Sequence, residues 1–230
     1  MSPSPAAESL QAQDTLTERA IAALQRDILA GELPPGGRLG VLGLVKRYGI
    51  GATPIREALS RLASRDLIIA IGQRGFRVAP LEREDLADIT RVRVVLETEA
   101  LRLSLEHGGD DWEAAVLSGL HQLKRYVARH GAAFGEGTEE FDRLHKAFHS
   151  HLVGASGSAR LTQAISGLYD QAYRYRRIMM KQFDDPDRFI ASHERLAECV
   201  LERVFEPARE ELVEHIYSTL KYVYPETGPT

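Results

Sequence analysis

Residues 33–68 read LPPGGRLGVLGLVKRYGIGATPIREALSRLASRDLI, and residues 72–78 add GQRGFRV. Val41 to Tyr48 reads as a short helix that ends at Gly49. A further helix covers Pro54 to Ser64, with Thr53 as a hydroxyl cap and Pro54 in the first turn, where its missing N–H costs nothing. In that helix Ile55, Ala58, Leu59 and Leu62 share one stripe and are predicted to be buried, so Thr53, Arg56 and Ser60 face outward. Gly49 and Gly51 supply a sharp change of direction between the two helices. Leu67 to Ala70 and Phe76 to Ala79 are β-prone runs around Gly72-Gln73-Arg74-Gly75, which predicts a short hairpin. Upstream, Ala20, Ile21, Leu24, Ile28 and Leu29 recur at helical spacing over Thr15 to Leu33, until Gly31 and the Pro34 to Gly37 cluster stop the pattern. Three helices and a hairpin with a basic tip make residues 14–80 a winged helix-turn-helix, preceded by a flexible lead-in over residues 1–13.

The charge distribution agrees with this division. The whole chain of 230 residues carries a net charge of −4, which by itself argues against a nucleic-acid partner. Residues 38–77, however, hold eight basic residues against only Glu57 and Asp66, a net of +6, so the remaining residues carry −10. A basic module is joined to an acidic one. The apolar back and polar front of the Pro54 to Ser64 helix suit a recognition helix in a DNA groove. Arg56 can contact guanine bidentately. Thr53 and Ser60 share its face, Lys46 and Arg47 are placed to meet the phosphate backbone, and Gln73 and Arg74 at the hairpin tip reach an adjacent groove. A solvated arginine on a surface helix is the plainer reading of any one of these residues. The turn, cap, helix and hairpin together favour double-stranded DNA.

From Pro80-Leu81-Glu82 onward the texture is purely helical. Helices are predicted over 83–106, 111–130, 137–154, 158–182, 187–204 and 206–224, which makes residues 81–225 an antiparallel helical bundle and residues 226–230 a tail. The fold class is mainly α. With 43% hydrophobic residues the chain can bury a core in each unit. A single cysteine, Cys199, the absence of a membrane-length apolar run and a first segment unlike a signal peptide point to a cytoplasmic protein with no membrane partner.

Four histidines in the bundle form a candidate group. His145 and His149 lie four apart beside the stripe of Phe141, Phe148 and Leu152, so both project from one side of a helix. His193 accompanies Phe189, Ile190, Leu196 and Val200, and His215 accompanies Leu212, Ile216 and Val223. Three helices therefore direct imidazoles inward, where metal sites of helical bundles are built. A histidine on an apolar face is also a common hydrogen-bonded core residue, so spacing alone leaves both readings open.

The segment from Leu33 to Ile68 with GQRGFRV resembles the DNA-binding half of GntR-type bacterial transcriptional regulators, and residues 81–224 resemble the metal-binding FCD effector domain of the FadR branch. The resemblance implies an effector-responsive repressor, a homodimer on a pseudo-palindromic operator, and a divalent transition metal, zinc or nickel, as cofactor. It matches His149, His193 and His215 to the family's histidine ligands, while His145 stands where an aspartate is usual, which leaves either a four-imidazole site that favours zinc, nickel or another late metal or a site that no longer holds metal, with Asp142 a less favoured substitute. It also matches Arg93 to an effector-binding arginine, with Arg174, Arg176 and Arg177 in YRYRR as further cations. The family's Ser-Arg before Thr-Pro is Gly51-Ala52 here, so no arginine at position 52 reads a base. QAYRYRR and HKAFHSHL are similar to the CsiR-like subgroup, which implies a small carboxylate or dicarboxylate effector. A metal-dependent hydrolase and a dimerising adaptor are the rival readings. No carboxylate is evidently placed as general base beside the histidines, and neither rival explains the basic module, so no enzyme is expected.

Overall fold

The computed structural model describes residues 5–135, 139–179 and 185–225, with the backbone alone at 5–14, 73, 135 and 179. The expected lead-in at 1–4, part of the loops at 136–138 and 183–184, the helix end at 180–182 and the tail at 226–230 lie outside these residues. The chain divides into two compact units, Met1–Leu81 and Glu82–Thr230.

The first unit contains helix α1 (Pro5–Leu29), strand β1 (Arg38–Leu39), helices α2 (Val41–Tyr48) and α3 (Ala52–Ala63), and strands β2 (Ile68–Ala70) and β3 (Phe76–Val78). Helix α1 starts well before the expected Thr15, so residues 5–13 are helical rather than a flexible lead-in. Their sequence, PAAESLQAQ, is rich in good helix formers, which the small and polar character of the segment concealed. The cap of α3 also differs from expectation. Gly51 is the N-cap, with no side-chain cap bond, and Thr53 and Pro54 lie inside the first turn. Pro54 is tolerated there because the first N–H groups of a helix have no intrahelical acceptor. Gly49 closes α2 at φ 66°, the left-handed region that favours glycine, and its N–H bonds back to the Val45 carbonyl.

Strands β2 and β3 form the expected hairpin, closed by a 3-10 turn over Gly72–Arg74. A third strand, β1, pairs antiparallel with β3, so that Leu39 lies opposite Phe76 and the strand order is β1-β3-β2. Ile55, Ala58, Leu59 and Leu62 are completely buried on the back of α3 against α1 residues such as Leu24 and Ile28. Each large side chain so buried contributes on the order of 1.5–3 kcal/mol.

The second unit is all helical: α4 (Arg83–His107), α5 (Asp110–His130), α6 (Glu139–Leu152), α7 (Ala159–Met179), α8 (Pro186–Leu201) and α9 (Phe205–Val223). Helix α5 packs on α6 and α8, α4 on α7 and α9, and α8 on α9. The Asp185 side chain accepts from the Arg188 N–H at 2.9 Å, with Pro186 just inside the start of α8, a local signal that fixes where this helix begins. Gly119 lets α5 approach α6 closely: a Cβ there would lie 2.9 Å from His151 Cδ2 and 3.3 Å from Phe148 Cα. That contact, with the Phe148 core and the Trp112 Nε1 bond to the His151 carbonyl at 2.8 Å, holds α6 in place.

Candidate metal centre and nucleic-acid interface

Helix α6 brings His145 and His149 to the interior, α8 brings His193 and α9 brings His215. All four are buried, and one nitrogen of each lies within 4.8 Å of the others. His145 Nε2 is 2.9 Å from His193 Nε2 and 3.1 Å from His149 Nε2. Nitrogens bound 2.0–2.1 Å from one ion lie about 2.9–3.4 Å apart, so these spacings already match a shared coordination sphere.

The far side of three of the rings is held by a partner. His193 Nδ1 donates to the Phe189 carbonyl at 2.7 Å, which leaves the Nε2 lone pair facing the centre. His145 Nδ1 lies 2.7 Å from the Tyr169 hydroxyl, and His215 Nδ1 lies 2.9 Å from Ser192 Oγ. Because a tyrosine hydroxyl can donate or accept, His145 keeps this bond whichever of its nitrogens carries the proton. Such outer partners orient imidazole ligands. His149 Nδ1 is buried with no hydrogen-bond partner. Burial is the largest influence on all four imidazoles and holds them well below the usual histidine range, His193 at about 3. They are neutral at pH 7, the form that binds metal. Four neutral imidazoles suit zinc or nickel better than magnesium or calcium, so the residues present fit a late transition metal.

Asp142 stands apart from this group. It is bonded by Arg177 and by the Tyr173 hydroxyl, and burial raises its carboxyl to about 6 against the lowering pull of Arg177 and Arg176. The carboxylate that spacing offered as a substitute ligand is thus occupied by the neighbouring helix α7.

A cavity of about 370 Å³ opens beside the histidines, lined by His145, His193 and His215, by the rings of Phe134, Phe141 and Phe189, and by Arg176 and Arg177. Arg176 Nη1 lies 3.5 Å from His145 Nε2, Nη2 donates to the Tyr169 hydroxyl at 3.1 Å, and Nε is buried without a hydrogen-bond partner. The candidate effector arginines separate. Arg177 lines the cavity. Arg93 is buried and its Nε donates to Glu97 at 2.7 Å, with the guanidinium over the Tyr169 ring. Arg174 is buried on the same helix as Arg177 and is not among the residues that line the cavity; the Asp85 carboxylate acts on it. Tyr169 and Ser192 are the residues that the sequence reading did not put forward. The Arg93 and Glu97 spacing of four was a visible sign of an ion pair within α4.

In the first unit Thr53, Arg56 and Ser60 are exposed along the front of α3, as are Lys46 and Arg47 at the end of α2 and Arg74 at the wing tip. Gln73 lies on the wing turn, its side chain outside the described residues. Arg47 is drawn into an ion pair with the buried Asp27 at 2.6 Å, and the Tyr48 hydroxyl donates to the same carboxylate at 2.8 Å. Glu57 turns toward α1, where it accepts from the Thr17 hydroxyl at 2.8 Å, leaving the α3 front without acidic side chains at its first turns. Among the described residues no helix is long and apolar enough to cross a membrane.

Residues 16–78 match the model of the bacterial regulatory proteins of the gntR family, and residues 88–218 match the FCD domain. The chain is 33% identical over 208 residues to the HTH-type transcriptional repressor GlaR of Escherichia coli strain K12, covering 87% of this chain and 92% of that protein. It is 34% identical over 209 residues to the HTH-type transcriptional regulator BphR of Paraburkholderia xenovorans strain LB400, covering 91% and 85%. Among solved structures, E. coli McbR/YncC shares the fold, with a TM-score of 0.75 at 22% identity over 93% of this chain and 99% of that one. The chain therefore belongs to the GntR family of bacterial regulatory proteins, as a transcriptional regulator that joins a winged helix-turn-helix to an FCD domain.

Proposed function

We propose that this regulator is a cytoplasmic repressor that binds a pseudo-palindromic operator as a homodimer and responds to a small carboxylate, with a dicarboxylate of the CsiR-like kind as the leading choice. The observation that carries the effector reading is the convergence of four buried imidazoles, three of which line the wall of the cavity with Arg176. His145, His149, His193 and His215 would hold zinc or nickel, and the ion would supply Lewis-acid affinity for a carboxylate oxygen. A buried guanidinium beside a cationic centre is costly unless an anion lies between them. Arg176, with Nε unpartnered, and Arg177 can bind the carboxylates of such an anion, while Phe134, Phe141 and Phe189 pack on its carbon chain. Tyr169 orients His145, and Ser192 orients His215.

Helix α7 offers a route outward. Its residues Tyr173, Arg176 and Arg177 face the cavity, while Tyr175, nearly fully buried, donates to Asp85 at 2.6 Å and accepts from the Glu82 N–H at 3.0 Å. Glu82 and Asp85 stand at the start of α4, where the chain enters the second unit. An effector that binds two arrangements of α7 unequally would shift their populations, and with them operator affinity.

The test uses full-length protein loaded with zinc and an operator selected from random duplexes. Selected sites should contain inverted half-sites, and glutarate or succinate should weaken retention in a gel-shift assay. Purified chain that neither carries a transition metal nor takes up one zinc ion per protomer would sink the metal centre. Selection of no sequence at all would sink operator recognition.

A further inference from the structure

The hydrogen bonds among the four imidazoles assign their protons one after another. The Phe189 carbonyl can only accept, so His193 carries its proton on Nδ1 and turns a bare Nε2 toward the centre. His145 Nε2, 2.9 Å away, must then be the donor of that pair, and its own Nδ1 accepts from the Tyr169 hydroxyl at 2.7 Å. His149 Nε2 lies 3.1 Å from the same His145 Nε2. Two N–H groups do not point at each other across such a gap, so the single proton of neutral His149 sits on Nδ1. A nitrogen that faces a metal ion is bare as well, so His149 carries Nδ1–H with the ion and without it.

That N–H is a buried donor with no partner among the described residues, whereas the outer nitrogen of each of the other three rings has one. A buried donor without an acceptor is costly, so the surroundings of His149 should supply one. His149 does not line the large cavity. It lines a second, small one between α4, α6 and α7, of about 10 Å³, which is room for a single water. Glu97, Thr162 and Ser166 share its wall, the polar partners that a buried water needs. The Glu97 side chain is only 3% exposed and takes one hydrogen bond from Arg93 Nε at 2.7 Å, which leaves lone pairs of its carboxylate for another donor. Thr162 Oγ1 donates to the Ser158 carbonyl at 3.1 Å, so toward the cavity it can only accept. A water that accepts from His149 Nδ1–H has two hydrogens to give, and the carboxylate of Glu97 is the strongest acceptor for one of them.

We infer that a buried water joins His149 Nδ1–H to the Glu97 carboxylate, which makes Glu97 the positioning residue for His149, with Arg93 holding that carboxylate in place. For metal affinity the inference rests on the centre proposed above, and it supplies the outer partner of the fourth imidazole. In full-length, metal-free protein, NMR of the ring nitrogens is expected to find His149 protonated on Nδ1. A proton on Nε2 would overturn the inference, whatever the protein does with metal. Titrated with zinc against a chromophoric chelator, Glu97→Gln is expected to bind zinc about tenfold or more weakly than wild type, the usual loss when the outer partner of a ligand is removed. Ser166→Val puts methyl groups into the small cavity and leaves the Arg93–Glu97 pair intact. It is expected to weaken zinc binding in the same direction, and it carries the test should Glu97→Gln fail to fold. In a His149→Ala background neither substitution should weaken zinc binding further, because each acts through His149. An equal loss in that background would mean a general effect on the bundle and would overturn the inference, as would wild-type zinc affinity in Glu97→Gln. Wild-type affinity in Ser166→Val would overturn the water. A wild-type chain that takes up no zinc would overturn the metal centre, and the ring-nitrogen spectra would then decide the position of the His149 proton by themselves.

Discussion

The two units of this regulator place their charges in opposite ways. In the winged helix-turn-helix the back of α3 is closed by Ile55, Ala58, Leu59 and Leu62, while Arg56 and its neighbours stand in water. In the FCD unit Arg93, Glu97, Arg174 and four histidines are buried within the bundle. Burying polar and charged groups costs several kcal/mol unless partners compensate. The reader unit is therefore stable as an apolar core with an exposed working face. The second unit gives up stability to keep a polar interior, a cost that the proposed metal and anion would offset by binding the folded state.

That contrast can be broken most sharply in the reader's core. Leu59→Ala removes a completely buried side chain, and calorimetry should show the first unit destabilised by about 2–5 kcal/mol while zinc stoichiometry stays unchanged. A change in zinc uptake would mean that the units are not separable in this way. The next largest effect belongs to the sensor. Free zinc at about 100 times its dissociation constant should stabilise the second unit by about 2.7 kcal/mol and leave the unfolding of the first unit where it was, and His193→Ala should abolish the shift. An equal rise in both transitions would show zinc acting elsewhere.

Arg56→Ala should weaken operator binding by about 1–3 kcal/mol per half-site with no change in melting temperature, since the residue is exposed and works only on DNA. Undiminished retention in the gel shift would remove α3 from base recognition. Smallest in its effect on operator binding is Tyr175→Phe, which deletes one hydroxyl and its bonds to Asp85 and Glu82. The second unit should lose about 1–2 kcal/mol. Operator affinity without effector should be nearly unchanged, while its response to glutarate diminishes. A full response would exclude α7 from the coupling.

How much of this was legible follows the range of the forces involved. The α3 stripe and the all-helical bundle are local patterns, readable from apolar spacing. Strand β1 was not, because two residues carry no period and Arg38–Leu39 becomes a strand only by pairing with β3, nearly forty residues on. The cap of α3 shifted from Thr53 to Gly51 because Thr-Pro inside a first turn is as acceptable as Thr-Pro at its edge. The four histidines could be proposed from their positions on apolar faces. Their outer partners, the Tyr169 hydroxyl, Ser192 and the Phe189 carbonyl, could not, since two of the three lie on a different helix from the ring they hold.

By itself, then, the sequence determined a basic helix-turn-helix unit and an acidic helical bundle, because helical periodicity and charge are properties of neighbouring residues. Only the tertiary structure decided that imidazoles from α6, α8 and α9 meet within 4.8 Å, that Asp142 is taken by Arg177 and Tyr173, and that Arg176 rather than Arg174 faces the cavity. The direction of a side chain one residue along a helix turns by 100°, and the distance between helices is set by the packing of residues such as Gly119 and Phe148.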